Sequence, residues 1–178
     1  MTYYGATELA RSFGTVRRNT ILTAEDIPAD KYSFRPTPDS RSVAEILAHI
    51  AVTSEGYYDL HAIQKITTFV GVDFMARGKE RAELEKALTA KADILEKLRA
   101  NADAWAAFFG SATEDYLSFI VTFPEPLEPR TKSRFELLLS VKEHEMHHRA
   151  QLMLVERMLG IVPHLTRARQ AMMNQASR

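Results

Sequence analysis

The residues with the clearest chemical potential lie in the stretch HEMHHRAQL, where three of the chain's six histidines fall between His144 and His148. His144 and His148 are four residues apart, so on an α-helix both side chains lie on one face and could bind the same metal ion. The same residues match the His-Glu-x-x-His pattern of zinc proteases, in which Glu145 would be the general base. The chain has no cysteine, so any metal ligand must be histidine, aspartate or glutamate.

Helical phase separates the members of this cluster. At about 100° per residue, the apolar side chains of the segment lie on the same side of the helix as His144 and His148. His147 falls toward the margin of that face, and Glu145 is expected to be a surface or margin carboxylate. Buried imidazoles need partners for their nitrogens. Two kinds of partner stay open, a divalent metal shared by both rings or hydrogen bonds to each other and to the backbone.

A third ligand would have to come from elsewhere in the chain. His49 lies in the stretch AEILAHIAVTSEGYY, close to the inner face of an amphipathic segment. His61 falls about 120° away from His49 on the same helical wheel, toward the outer side. His164 follows Gly160 and Pro163 and is expected in a loop. His49 is therefore the best third candidate.

Three histidines with an open fourth position are the pattern of a catalytic metal site, where water or substrate completes the coordination shell. The predicted ligands are His49, His144 and His148. Groups that hydrogen-bond to the ligands would orient the rings. Gln151 and Glu45 are the candidates for that role, although a bundle-edge amide and a helix-capping carboxylate would explain them equally well.

The zinc-protease interpretation has little support beyond the short pattern itself. Its extended form needs Gly at position 151 and His at position 154, where this chain has Gln151 and Leu154. No acidic residue follows Glu156 to serve as a downstream ligand. A helical bundle also offers no edge strand to hold a peptide substrate. We keep an HExxH zinc protease only as a minor alternative.

Hydrophobic periodicity predicts the elements that must position these residues. The sequence predicts an all-α protein, a four-helix bundle with a short C-terminal helix, in a single domain covering residues 1–178. The stretch YLSFIVTFPEPLEPR is expected to be extended, as a short strand or hairpin arm, before prolines break it. The predicted helices run from about Ala6 to Ala24, Ser42 to Thr68, Lys79 to Phe109 and Ser133 to Leu159, with the terminal helix starting near Leu165.

Composition excludes several classes of partner. Lys+Arg and Asp+Glu both number 23, so the net charge is zero and no basic face for nucleic acid is expected. No run of about 18 apolar residues is present, so no membrane span is expected. The first residues lack the apolar core of a signal peptide, which makes a cytoplasmic protein the expectation.

Two stretches of the chain resemble the DinB family, also called DinB/YfiT-like metalloenzymes. RPTPDSRSVAEILAHI is similar to the stretch that leads to a single metal histidine on the family's second helix. HEMHHRAQLMLVERMLGI resembles the family's signature of two histidines four apart, followed by Arg, a small residue and Gln. The small residue is often Gly in the family and is Ala150 here. The resemblance covers nearly the whole chain.

The resemblance implies a four-helix bundle with a divalent metal, nickel or zinc above others, held by His49, His144 and His148. It also implies a homodimer and a small-molecule substrate. Some relatives are thiol transferases that use low-molecular-weight thiols, and others resemble maleylpyruvate isomerases or hydrolases. The expected function is a metal-dependent enzyme, thiol S-transferase-like or hydrolase-like. The alternative is a non-catalytic metal- or ligand-binding bundle that serves a stress response.

Overall fold

The computed structural model describes residues 4–176 and is mostly helical. Two short stretches of other helix interrupt the regular elements, a 3-10 turn at Ala29–Lys31 and a π-helical turn at Asp59–Ile63. The regular elements, in chain order, are α1 (Ala6–Asp26), α2 (Val43–Tyr58), α3 (Phe74–Ala87), α4 (Lys91–Ser111), α5 (Glu114–Ser118), β1 (Ile120–Thr122), β2 (Thr131–Ser133), α6 (Arg134–Met158) and α7 (His164–Ala176).

The four long helices α1, α2, α4 and α6 form the bundle, which confirms the predicted fold class. Both α1 and α2 pack against α4 and α6, so the order around the bundle is α1, α4, α2, α6. α1 and α2 are therefore diagonal to each other, as are α4 and α6, and α3 packs on the outside of α2. The expected hairpin arm is present as a small antiparallel sheet of β1 and β2, in which Val121 pairs with Lys132. The first three residues of the stretch expected to be extended, 116–118, belong instead to α5.

Side-chain caps fix where the two helices that carry the histidines begin. The Ser42 hydroxyl accepts a hydrogen bond from the Glu45 amide at 3.2 Å, and the Ser42 amide donates to the Glu45 carboxylate at 2.9 Å. This is the predicted capping box of α2. Ser133 and Glu136 cap α6 in the same way. At the other end of α6, Gly160 has a φ of 76°, a left-handed conformation that glycine adopts readily at the end of a helix.

The predicted third helix, Lys79 to Phe109, is wrong as one element because the chain breaks at Leu88. Its backbone leaves the helical region, with φ −97° and ψ 89°, and its side chain packs against the core. α3 ends before this residue and α4 begins at Lys91. Charged residues recur at helical spacing through both helices, so the sequence pattern does not predict the break between them.

The second helix also departs from its predicted course to Thr68. Regular α-helix ends at Tyr58 and a π-helical turn follows it. A wheel drawn at 3.6 residues per turn does not apply across a π turn, and His61, expected toward the outer side, is fully buried. His164, expected in a loop, is the first residue of α7.

A buried ion pair between Arg17 and Glu145 links α1 to α6. The Arg17 guanidinium donates to both carboxylate oxygens of Glu145 at 2.9–3.1 Å, and also to the hydroxyl of Ser54 and the carbonyl of Leu98. The indole of Trp105 donates to the same Ser54 hydroxyl at 2.9 Å. The placement of Glu145 at the surface or margin was therefore wrong, because its partner on α1 makes deep burial possible.

A second buried carboxylate, Glu156, has a different environment. It is fully buried on α6, and among the residues that the structure describes neither of its oxygens has a hydrogen-bond partner. Burial and the charge of Asp26 raise its pKa to about 7, against the opposing charges of Arg167 and Arg157. The folded state therefore favours the neutral, protonated acid.

None of the described helices is both long enough and apolar enough to cross a membrane.

Replacing Glu145 by Gln is expected to destabilise the fold by about 3–5 kcal/mol, because Arg17 would stay buried without a counter-charge. Arg17→Met should cost a similar amount. The double variant Arg17→Met/Glu145→Leu removes both charges and should be far more stable than the sum of the single effects implies. Urea unfolding at neutral pH measures all three, and Arg18→Met, at the exposed neighbour, is the matched control. Additive single effects would contradict the coupling.

Replacing Glu156 by Gln mimics the protonated acid and should change how stability depends on pH. The stabilising contribution of protonated Glu156 is present below about pH 4.5 and is lost as pH rises through its raised folded-state pKa of about 7. The variant should therefore match the wild type in acid and exceed its free energy of unfolding by up to about 3 kcal/mol above pH 8. Denaturant titrations from pH 4 to 9 test this. Glu143→Gln, exposed on the same helix, should show no such trend.

Candidate metal centre

Three histidine rings from α2 and α6 converge at one point. The Nε2 atom of His144 lies 3.0 Å from Nε2 of His49 and 3.2 Å from Nε2 of His148. His49 and His148 are buried and His144 is half-buried. The capped start of α2 and the burial of Glu145 on α6 together orient the two helices so that these faces meet. The structure thus brings together the three histidines that the sequence singled out.

The outer nitrogens of two rings have hydrogen-bond acceptors, which fixes where their protons lie. Nδ1 of His49 is 2.8 Å from the Glu85 carboxylate, and Nδ1 of His148 is 2.9 Å from Oε1 of Gln151. The Gln151 amide nitrogen faces His147 at 3.3 Å, which is consistent with its oxygen facing His148. Both Nδ1 atoms therefore act as donors, and each Nε2 presents a bare lone pair to the centre.

Lone pairs that point at one another need a cation between them. His144 Nε2 can carry one proton and donate it to one neighbour, which leaves the third nitrogen without a partner. A metal at about 2.1 Å from each nitrogen would separate the nitrogens by about 3.0 Å at right-angled coordination and about 3.4 Å at tetrahedral coordination. The distances of 3.0 and 3.2 Å from His144 fall within this range, and the ligand atoms of all three residues lie within 4.8 Å of one another. The three residues could therefore hold one divalent ion.

Burial keeps the cluster in the neutral state that metal ligands require. It lowers the pKa of His144 to about 4, and the charges of His148 and His49 act in the same direction. Burial also lowers the pKa of His49, against the opposing effect of Glu85, and lowers that of His148. At neutral pH the three rings are therefore uncharged and available to a cation.

Glu85 is the member of this arrangement that sequence reasoning missed. It lies on α3, where its carboxylate accepts from His49 and also lies 3.4 Å from Nε of Arg81. A carboxylate on the outer nitrogen of a ligating histidine orients the ring and raises its basicity. The alternating charges around Glu85 look like a solvated helix face, so nothing in the local pattern distinguished it.

Of the two residues predicted to orient the rings, one contacts a histidine of the cluster and the other has different partners. Gln151 contacts His148 as the hypothesis requires, although its role stays a prediction. Glu45 is occupied by the capping box of α2 and by an ion pair with Arg35, and Glu85 is the carboxylate that contacts His49. The first turn of α2 needs a capping acceptor, which explains the position of Glu45.

The fold and the site define a class of protein, a four-helix bundle with a three-histidine centre suited to a divalent metal. The sequence profile of the DinB superfamily matches residues 12–152, which is most of the chain and includes all three histidines. The chain belongs to the DinB superfamily.

Two solved structures from Bacillus subtilis are similar to this chain. The DinB-like protein YjoA is 21% identical, with a TM-score of 0.61, over 86% of this chain and 92% of that one. YfiT, described as "a probable metal-dependent hydrolase with an unusual four-helix bundle topology", is 14% identical, with a TM-score of 0.69, over 90% and 91%. At these identities the similarities support the fold alone. No curated protein matches the chain.

Removing the Glu85 carboxylate is expected to weaken metal binding by about 10- to 100-fold without unfolding the bundle. The Glu85→Ala variant should show the full loss, and Glu85→Gln a smaller one, because an amide oxygen still accepts from His49. Competition against a chelator with Zn²⁺ or Ni²⁺ measures the affinity. Glu83→Gln, exposed on the same helix, is the control. Equal affinities for Glu85→Ala and Glu83→Gln would show that the carboxylate does not tune the site.

Proposed function

We propose that this protein is a metal-dependent enzyme that acts on a small molecule, with nickel or zinc held by His49, His144 and His148. The observation that carries the proposal is the convergence of three Nε2 atoms, with 3.0 and 3.2 Å from His144 to the other two, whose outer nitrogens have acceptors. A hydrogen-bonded core cluster would satisfy its nitrogens in pairs, whereas this arrangement leaves a centre that a cation completes.

A divalent ion at this centre would supply a Lewis acid and lower the pKa of a water or thiol at an open coordination position. The residues of the chain hold that centre neutral and exclude most solvent from it. Glu85 fixes His49, and Gln151 fixes His148, so that both rings present Nε2 inward. Neutral ligands leave the full charge of the ion to act on the bound group.

The nearby carboxylates already have partners, which favours a thiol over water as the reacting group. Glu145 is paired with Arg17, Glu45 with Arg35, and Glu85 with His49. Hydrolysis requires a base to take a proton from water, whereas a thiol can bind a metal directly as its thiolate. A thiol S-transferase-like reaction with a low-molecular-weight thiol is therefore proposed ahead of a hydrolase-like one.

The zinc-protease alternative loses its catalytic base in this structure. Glu145 lies in the pattern's position but is only 2% exposed, and the guanidinium of Arg17 occupies both of its oxygens. A general base must reach the reacting water within hydrogen-bond distance.

The homodimer and the cytoplasmic location stay predictions.

Metal content is the decisive measurement. After reconstitution with Ni²⁺ or Zn²⁺ and removal of loose metal, the wild type should hold close to one ion per chain. His148→Ala should lose most of it, because two ligands remain. His147→Ala is a matched control, since this neighbouring histidine is exposed. Equal, negligible metal in the wild type and in His148→Ala would end the metalloenzyme proposal.

A panel of electrophiles offered with low-molecular-weight thiols then tests the chemistry in the loaded protein. Metal-dependent turnover that is lost in His148→Ala and retained in His147→Ala is the expected result. Bound metal without turnover across the panel would favour the non-catalytic binding bundle. If loss of metal only lowers the free energy of unfolding, the site is structural.

A further inference from the structure

A cavity of about 630 Å³ lies beside the histidine cluster, bordered by the start of α2, the end of α3 and the segment that follows α1. Glu85 connects the cavity to the cluster, because it lines the cavity and its carboxylate is 2.8 Å from Nδ1 of His49. None of the three histidines lines the cavity, so a molecule bound here would contact the candidate metal centre through Glu85. The charges on the cavity wall determine which kind of molecule that is.

Every acidic side chain that lines the cavity already has a positive or hydrogen-bonding partner. Asp30 pairs with Lys31 at 3.1 Å, and Glu45 pairs with Arg35. Glu85 lies 3.4 Å from Nε of Arg81 and also accepts a hydrogen bond from His49. Each of these carboxylates is therefore paired with a nearby basic side chain.

Two basic side chains on the same wall have no such partner. Within residues 4–176, neither Arg41 nor Lys86 makes a hydrogen bond or an ion pair. Counted together with their basic partners Lys31, Arg35 and Arg81, the three carboxylates contribute no net charge, so the positive charges of Arg41 and Lys86 remain uncompensated.

We propose that this cavity binds the carboxylate of a small organic acid, with Arg41 and Lys86 as its counter-charges and the rest of the molecule directed toward the histidine cluster. A planar guanidinium matches a carboxylate through two parallel hydrogen bonds, and a nearby ammonium adds a second charge. The proposal rests on the proposed function, since it names the substrate class of the same site.

The first test compares succinate with its uncharged analogue succinamide. NMR chemical-shift titrations of the Zn²⁺-loaded protein, and of the metal-free protein in parallel, give both affinities. Succinate should bind at least about tenfold more tightly than succinamide. Arg41→Glu should abolish this preference and Lys86→Glu should reduce it. Arg18→Glu, the same charge change at an exposed position of α1, should retain it.

Equal binding of succinate and succinamide would overturn the proposal, as would no binding of either. An equal loss in Arg41→Glu and Arg18→Glu would also overturn it, because the effect would then come from overall charge.

The second test asks whether a molecule held in this way reaches the metal. In the Co²⁺-loaded protein, the sulfur-to-cobalt absorption band reports thiolate binding. The carboxylate-bearing 3-mercaptopropionate should saturate the band at a concentration at least about tenfold lower than 2-mercaptoethanol does. Arg41→Glu should remove that difference, and Arg18→Glu should keep it. Equal saturation of both thiols in the wild type would refute the directed placement.

Failure of this proposal is distinguishable from failure of the proposed function. If the wild type does not bind metal, the proposed function fails, while the succinate preference of the metal-free protein still decides whether the cavity binds carboxylates. If metal binds but the preference is absent, only the cavity proposal fails. Arg41→Glu should bind as much metal as the wild type, because Arg41 contributes no ligand.

Discussion

The buried ion pair between Arg17 and Glu145 is the interaction on which the arrangement of the bundle depends. Removing two charges from water costs several kcal/mol for each, and only good geometry with further hydrogen bonds offsets that cost. The guanidinium meets this condition through groups on α2, α4 and α6 at once. A rotation of α6 by one residue would leave both charges unpaired in the core. The pair therefore fixes the rotation of α6, and Glu145 is the direct neighbour of His144.

The histidine cluster depends on that rotation and follows a different electrostatic principle. The ion pair is fully compensated by partners within the bundle, whereas the three Nε2 atoms face one another without enough protons to satisfy them. Three imidazole nitrogens directed at one point are consistent with a site completed from outside the chain. Burial, followed by the charges of the neighbouring histidines, lowers the pKa of His144 and leaves the ring neutral.

The sequence could predict those features of the fold and of the candidate site that depend on residues close together in the chain. Periodic apolar residues and capping boxes are local, and they predicted the bundle, the start of α2 and the convergence of His49 with the α6 pair. Glu145 was misplaced because a wheel cannot show a partner 128 residues away. His61 was misplaced because the π turn changes the angular step. Glu85 lies on a charged helix that packs on α2 only in three dimensions.

α3 occupies a special position between fold and function. None of its residues is buried, yet it supplies Glu85 to His49 and Lys86 to the neighbouring cavity. Elements with few buried contacts contribute little to global stability and open locally at low free-energy cost. The ligands themselves lie on α2 and α6, which the core and the Arg17–Glu145 pair hold in place. The residues that would tune the metal and contact its substrate can therefore vary with little effect on the bundle, so one fold can carry a constant metal centre and a variable chemistry.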